Sequence, residues 1–184
     1  MSLSLVVLQG PSASGKSWVQ SELGIPRIIT CTSRTPRTGE MDGVDYYFKT
    51  RAELQQMYEQ GDMIEMTEYH GNLYGTSTQI IQDVIDKSEI RSIIMDDAGA
   101  RKIKHLFRDR VLWIGVKASR KDCEDRLLAR AQRAEEVEER LSSFEVEIEA
   151  LSDCDIIMNN TDENRGNMDT IVEFLREGLT NRKG

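Results

Sequence analysis

The chain has 184 residues, enough for one well-filled core and too few for two ordinary domains. Apolar residues make up 39% and charged residues 30%, which suits a soluble globular protein, and runs such as LSLVVL and RSIIM are far too short to span a bilayer. The formal net charge of -8 argues against nucleic-acid or anionic-membrane partners, which need a basic surface.

The first element expected is a buried strand, SLSLVVLQ, with no basic segment before it of the kind that opens a secretory signal. GPSASGKS follows, then a short helix from Ser17 to Leu23 that Gly24 and Pro26 punctuate. RIITC reads as a second strand, and Thr32 to Asp45 as a long polar loop of the kind that usually carries function. TRAELQQMYEQG has a capping box, Thr50 with Glu53, and stops at Gly61. MIEMTEYHGNLYG alternates about a tight turn and predicts a hairpin. Then come a helix in STQIIQDVIDK, a buried strand in RSIIMDD, a helix in ARKIKHLF and a strand in RVLWIGV. Two helices, Arg120 to Gln132 and a charged, exposed Ala134 to Leu151, precede a last strand in CDIIMNN and a last helix in NMDTIVEFLREG. Strands alternate with helices and are apolar throughout, so the fold class is α/β, with a central parallel sheet covered on both faces and the hairpin as an excursion.

GPSASGKS fits G-x-x-x-x-G-K-[ST], a pattern a chain of this size meets by chance roughly once in one or two hundred cases. Here a strand precedes it and a helix follows, so coincidence loses. Gly10 and Gly15 permit a backbone whose N–H groups converge on an anion, across Pro11, Ser12, Ala13 and Ser14. Lys16 supplies a cation to the β- and γ-phosphates, the Ser17 hydroxyl is a ligand for Mg2+, and the following helix points its positive end at the same place. The loop implies a nucleoside triphosphate but leaves the acceptor of its phosphoryl group open.

Arg34 and Arg37, three apart around a proline, suit a second phosphate group. Arg126, Arg130 and Arg133 fall on one face of the expected helix, with Arg140 on the next. Either set equally fits a solvated surface. Asp96 stands at the carboxyl end of a buried strand, where open α/β sheets place ligands. Cys31, Cys123 and Cys154, far apart with no C-x-x-C pair, fit reduced thiols of a cytoplasmic protein, and His70 and His105 lack metal-ligand spacing.

GPSASGKS, CTSRTPRTGEMDGVDYYF, MIEMTEYHGNLYGTS, DRLLARAQRAEEVEERL and DIIMNN together, in this order, resemble the guanylate kinase family over nearly the whole chain. The resemblance implies a P-loop NTPase-type sheet with a small β-rich GMP-binding excursion and a helical lid: core 1–31, 77–118 and 152–184, GMP-binding region 32–76, lid 119–151. It implies transfer from Mg-ATP to GMP, and to dGMP. Gly10 to Ser17 and Asn159 would bind ATP. Arg34, Arg37, Tyr46 and Tyr74 would hold the GMP phosphate. Glu65 and Asp96 would accept from guanine N1–H and the amino group, with Thr76 and Thr30 around O6 and Gly75 also in the GMP site. Lys16, Arg34, Arg126, Arg130 and Arg140 would be the catalytic cations. A carboxylate pair suits guanine because adenine would set an acceptor against an acceptor. GMP's phosphate is largely ionised at neutral pH, so no general base is needed.

Three features depart from the family pattern. Ile94 stands where an acidic residue is usual, leaving any role in holding hydrated Mg2+ vacant or passed to Asp97. The helix after the phosphate loop is short, and the lid has Ala131 in place of a glycine and is one residue shorter before Arg140. Two alternatives remain: a related kinase acting on a sugar phosphate of the ribose 1,5-bisphosphate type, and a non-catalytic binding module. Glu65, Thr76 and Asp96 argue against the first, and the intact loop against the second.

Overall fold

The computed structural model describes residues 3–69, 71–130 and 133–181, so His70 in the expected hairpin turn and Ala131 in the lid lie outside the described residues. In chain order the elements are β1 (Leu5–Gln9), α1 (Lys16–Glu22), β2 (Cys31–Thr32), β3 (Tyr47–Phe48), α2 (Arg51–Glu59), β4 (Met63–Tyr69), β5 (Asn72–Ser77), α3 (Thr78–Asp86) and β6 (Arg91–Ile94). There follow α4 (Asp97–Phe107), β7 (Val111–Lys117), α5 (Arg120–Leu128), α6 (Ala134–Leu141), α7 (Phe144–Ala150), β8 (Ile156–Asn159) and α8 (Arg165–Thr180).

The main sheet is parallel, in the order β6-β1-β7-β8. β1 lies inside it, and all five of its residues are buried. Side chains alternate between the faces of a strand. Val7, Ile93 and Trp113 therefore pack with Ile81 of α3 and Ala100 and Ile103 of α4. Val6, Leu8 and Ile114 pack with Val19 of α1 and Met168 and Val172 of α8 on the other side. With helices on both faces, the strands carry no polar stripe, which is why they read as unbroken apolar runs.

The excursion is larger than a hairpin. It is a second four-stranded sheet, β3-β2-β5-β4, with its own core of Cys31, Leu54, Met63 and Leu73 under α2. The β4–β5 hairpin forms as expected, but β2 and β3 are two residues each, too short for a periodic signal. RIITC does not form one strand. Arg27 bridges Ser92 at the edge of the main sheet, whereas Cys31 and Thr32 pair with Gly75 and Tyr74 in the second. Between Met63 and Glu65 the β4–β5 register shifts by a bulge. Bulges re-aim a strand, and here Ile64 joins the main core while Glu65 comes opposite Thr76.

The region after β7 also differs from the sequence reading. α5 stops at Leu128, Arg130 lies in the following turn, and Arg133 has extended backbone as the residue before α6. The three arginines therefore do not share one helical face. The glutamate-rich stretch is two helices, α6 and α7, broken at Ser142 and Ser143. The break turns Val137, Leu141 and Phe144 onto Cys123 and Leu127, with Ala13 of the phosphate loop at the edge of this cluster. The three cysteines are free thiols. Among the described residues no helix is long and apolar enough to cross a membrane.

The capping box at α2 is complete: the Thr50 side chain accepts from Glu53 N, and the Glu53 carboxylate accepts from Thr50 N at 2.6 Å. Thr50→Ala should lower unfolding free energy in a urea titration by about 1 kcal/mol. A loss below a few tenths would show that α2 does not depend on this cap.

Candidate active site

The turn from β1 to α1 takes a backbone open to few residues. Gly10 and Gly15 have φ of 148° and 103°, and Ala13 has φ of 61°. A Cβ on Gly10 would stand 2.1 Å from the Val116 carbonyl, so this glycine is required by close approach as well. The Lys16 ammonium folds back onto the Gly10 and Pro11 carbonyls, at 2.6 and 2.7 Å. Burial pulls its pKa down to about 8, with Arg140 and Arg130 acting in the same direction and Glu147 against it. Arg126 donates to Ala13 O at 3.3 Å, to Asn160 O at 2.9 Å and to Asp162 at 2.5 Å. Ser17 is exposed in the first turn of α1.

The second sheet and its loops carry most of the other expected residues, and Asp96 stands after β6 of the main sheet. Arg34 Nη2 donates to both carboxylate oxygens of Glu40, 2.9 Å each, and the guanidinium lies 5.4 Å from the Tyr46 ring centre. Glu40 also accepts from Arg37 N at 2.8 Å, so one carboxylate shapes the whole TSRTPR loop. The Arg37 side chain is largely exposed. Tyr46 and Tyr74 meet edge-on, ring centres 6.1 Å apart. The Thr76 hydroxyl donates to Glu65 Oε1 at 2.5 Å. Asp96 caps α4 by accepting from Gly99 N at 2.8 Å. A Cβ built on Gly99 would stand 3.1 Å from Asp96 Oδ1 and 3.3 Å from Glu65 Oε2, so the two carboxyl groups bracket one small space. Burial pushes the Glu65 pKa up to about 7; the Thr76 hydrogen bond opposes this and the Asp96 charge adds to it. Gly75 lies in β5 between Cys31 and Met66, and the Thr30 carbonyl accepts from Tyr47 N at 2.8 Å.

Both sites meet through Tyr69, which the sequence did not single out, and Arg140, which it did. Tyr69 at the end of β4 lies beside Ser12 of the phosphate loop, close enough for the two side chains to interact, and burial raises its pKa. Arg140 of α6 is half-buried; burial lowers its pKa, and Tyr69, Tyr74, Arg37 and Arg130 are near enough to act on it electrostatically. Arg130 itself is exposed. Asn159, expected at the ATP site, is exposed at the end of β8, with its carbonyl accepting from Asn164. Its neighbour Asn160 is the residue that touches the phosphate loop, donating to Ser14 O at 2.7 Å. Two adjacent asparagines gave the sequence no basis for choosing between them. Glu40 was visible only as part of TGEMDG. Asp97 is held by Gln9 at 3.3 Å and by Arg101 at 2.8 Å, and Ile94 packs with the α1–α8 side of the core.

Among the described residues no group of three histidine, cysteine or acidic side chains could hold a metal ion.

A phosphate loop at the carboxyl end of a central parallel strand, with arginines and Glu65 from a second sheet region and Asp96 from the end of β6 beside it, defines a nucleotide-binding transferase. Residues 2–180 match the family model for guanylate kinase. The guanylate kinase of Rhodococcus jostii is 37% identical over 179 residues, covering 93% of this chain and 86% of that protein. That of Shouchella clausii is 33% identical over 162 residues, covering 85% and 79%. The crystal structure of guanylate kinase from Anaplasma phagocytophilum superposes with a TM-score of 0.74 at 27% identity, over 98% of this chain and 88% of that one. The chain belongs to the guanylate kinase family and is an enzyme of the kinase class.

The Glu65 shift has a consequence for stability. Its folded pKa near 7 lies above the ordinary 4.5, so between those values the native state keeps a proton the unfolded state has lost. Stability from this group is therefore present in full at low pH and lost as pH rises through about 7. Glu65→Gln cannot ionise and should melt above the parent at about pH 8, with the gap closing near pH 4.5. A gap of equal size at both pH values would sink this account.

Proposed function

We propose that the enzyme transfers the γ-phosphoryl group of Mg-ATP directly to the 5′-phosphate of GMP, with dGMP as a second acceptor, in the cytoplasm. The observation that carries this is the pair of carboxyl groups, Glu65 and Asp96, bracketing one space beside Gly99. Guanine offers two adjacent donors, N1–H and the exocyclic amino group, and buried carboxylates reward a base that supplies donors. Thr76, with its hydroxyl committed to Glu65, fixes the carboxylate's orientation.

Arg34 and Arg37 would bind the acceptor phosphate with Tyr46 and Tyr74, Arg34 being pre-set by Glu40. The loop from Gly10 to Ser17 would hold the β- and γ-phosphates. There Lys16 exchanges two neutral carbonyl partners for charged oxygens, which favours its protonated form. Mg2+ bound to the phosphates and Ser17 would neutralise charge on the transferring group. Arg126, Arg130 and Arg140 converge from the segment 119–151, which we assign as the lid, with 32–76 as the acceptor region. The acceptor oxygen is already ionised at neutral pH, so the protein's task is to align two anions and offset their repulsion.

A coupled nucleoside-diphosphate assay with Mg-ATP tests this against GMP, dGMP, AMP, UMP and ribose 1,5-bisphosphate. GMP should exceed AMP and UMP in kcat/KM by at least about tenfold, a difference of about 1.4 kcal/mol. A preference for the sugar phosphate would overturn the guanine assignment. Arg140→Ala should lower kcat by about 10³ while GMP and ATP affinities change little. An effect confined to KM would remove Arg140 from transition-state stabilisation.

A further inference from the structure

A loop that aims its N–H groups inward at an anion turns carbonyls outward, and buried carbonyls need donors. In this loop the donors can be named. Lys16 serves Gly10 O and Pro11 O, Ser14 N serves Pro11 O, Val19 N serves Gly15 O and Arg126 serves Ala13 O. Ser14 O is served by the Asn160 side chain at 2.7 Å. Lys16 and Arg126 are cations that a bound triphosphate draws toward itself. Asn160 is neutral and 1% exposed, and its own N–H is tied to Lys117 O at 2.7 Å, so it stays in place.

We propose that Asn160 is a positioning residue for the donor nucleotide: its carboxamide holds the Ser14–Gly15 segment in the anion-binding conformation. Two further observations support this. A Cβ on Gly15 would stand 2.0 Å from Asn160 Nδ2, so the carboxamide occupies the room that only a glycine leaves. Asn160 Oδ1 is buried with no hydrogen-bond partner among the described residues. An acceptor left unmet at that depth is costly, and it is accepted here because flipping the amide would set Oδ1 against Ser14 O. The orientation is thus dictated by the loop. The Asn160 carbonyl also accepts from Arg126 at 2.9 Å, so the same residue fixes the loop and one of the cations that flank it.

The inference rests on the loop taking ATP. Asn160→Asp keeps the side-chain shape but replaces the donor with an acceptor facing Ser14 O; the backbone carbonyl that Arg126 uses is present in both variants. Asn160→Ala removes the group. Equilibrium binding of ATP, ADP and GMP should be measured for parent and variants, with far-UV circular dichroism and a thermal melt to verify folding. ATP and ADP should bind about tenfold more weakly, or worse, in both variants. GMP should stay within about twofold, and Asp should be no better than Ala despite its closer shape. If Asp binds ATP as the parent does, or if ATP and GMP weaken together, Asn160 is not a positioning residue. If the alanine variant does not fold, the aspartate variant decides. A parent protein that binds no ATP would instead refute the reading of the loop itself.

Discussion

Everything in this protein depends on the backbone of eight residues that must present N–H groups to an anion while its own carbonyls are kept from water. β1 is buried along its whole length, so it delivers the loop as a rigid end rather than a flexible strap. α1 starts at Lys16 and closes the other side. The outward carbonyls then draw in donors from distant parts of the chain: Asn160 after β8 and Arg126 from α5. Packing repeats the pattern, since Ala13 sits at the edge of the cluster formed by α5, α6 and α7. The loop is therefore where the main sheet and the helices after β7 are joined.

The space beside Gly99 is built on a different cost. Glu65 and Asp96 are held close together, and burial, with the Asp96 charge adding to it, raises the Glu65 pKa to about 7. A bulge, an opposing threonine and a missing Cβ at Gly99 are needed to keep them there. The same bulge seats Ile64 in the main core, so one irregularity serves both the packing and the placing of Glu65. Glu40 plays a compensating part in the loop after β2, where it orders Arg34 and the backbone of Arg37.

Local features were the legible ones. The capping box at Thr50, the hairpin around Gly71, the phosphate loop and the alternation of strands with helices each depend on residues within a few positions of one another. What failed did so for identifiable reasons. Two-residue strands have no period to detect, so the second sheet read as a loop and a hairpin. The spacing of Arg126, Arg130 and Arg133 presumed a helix that ends at Leu128, and the glutamates after Ala134 concealed a break that two serines make.

The sequence by itself determined the class of fold and the presence of a phosphate loop, because apolar runs, glycine positions and caps act on the backbone locally. It also named Glu65, Thr76 and Asp96 by resemblance. Only the tertiary structure decided that Asn160 rather than Asn159 meets the loop, that Glu40 orders Arg34, and that Tyr69 links the two sites. Those pairings join residues far apart in the chain, and a strand shifted by one residue would turn the other asparagine inward. Register and side-chain direction are settled by the packing of the whole sheet, and no short stretch of sequence carries them.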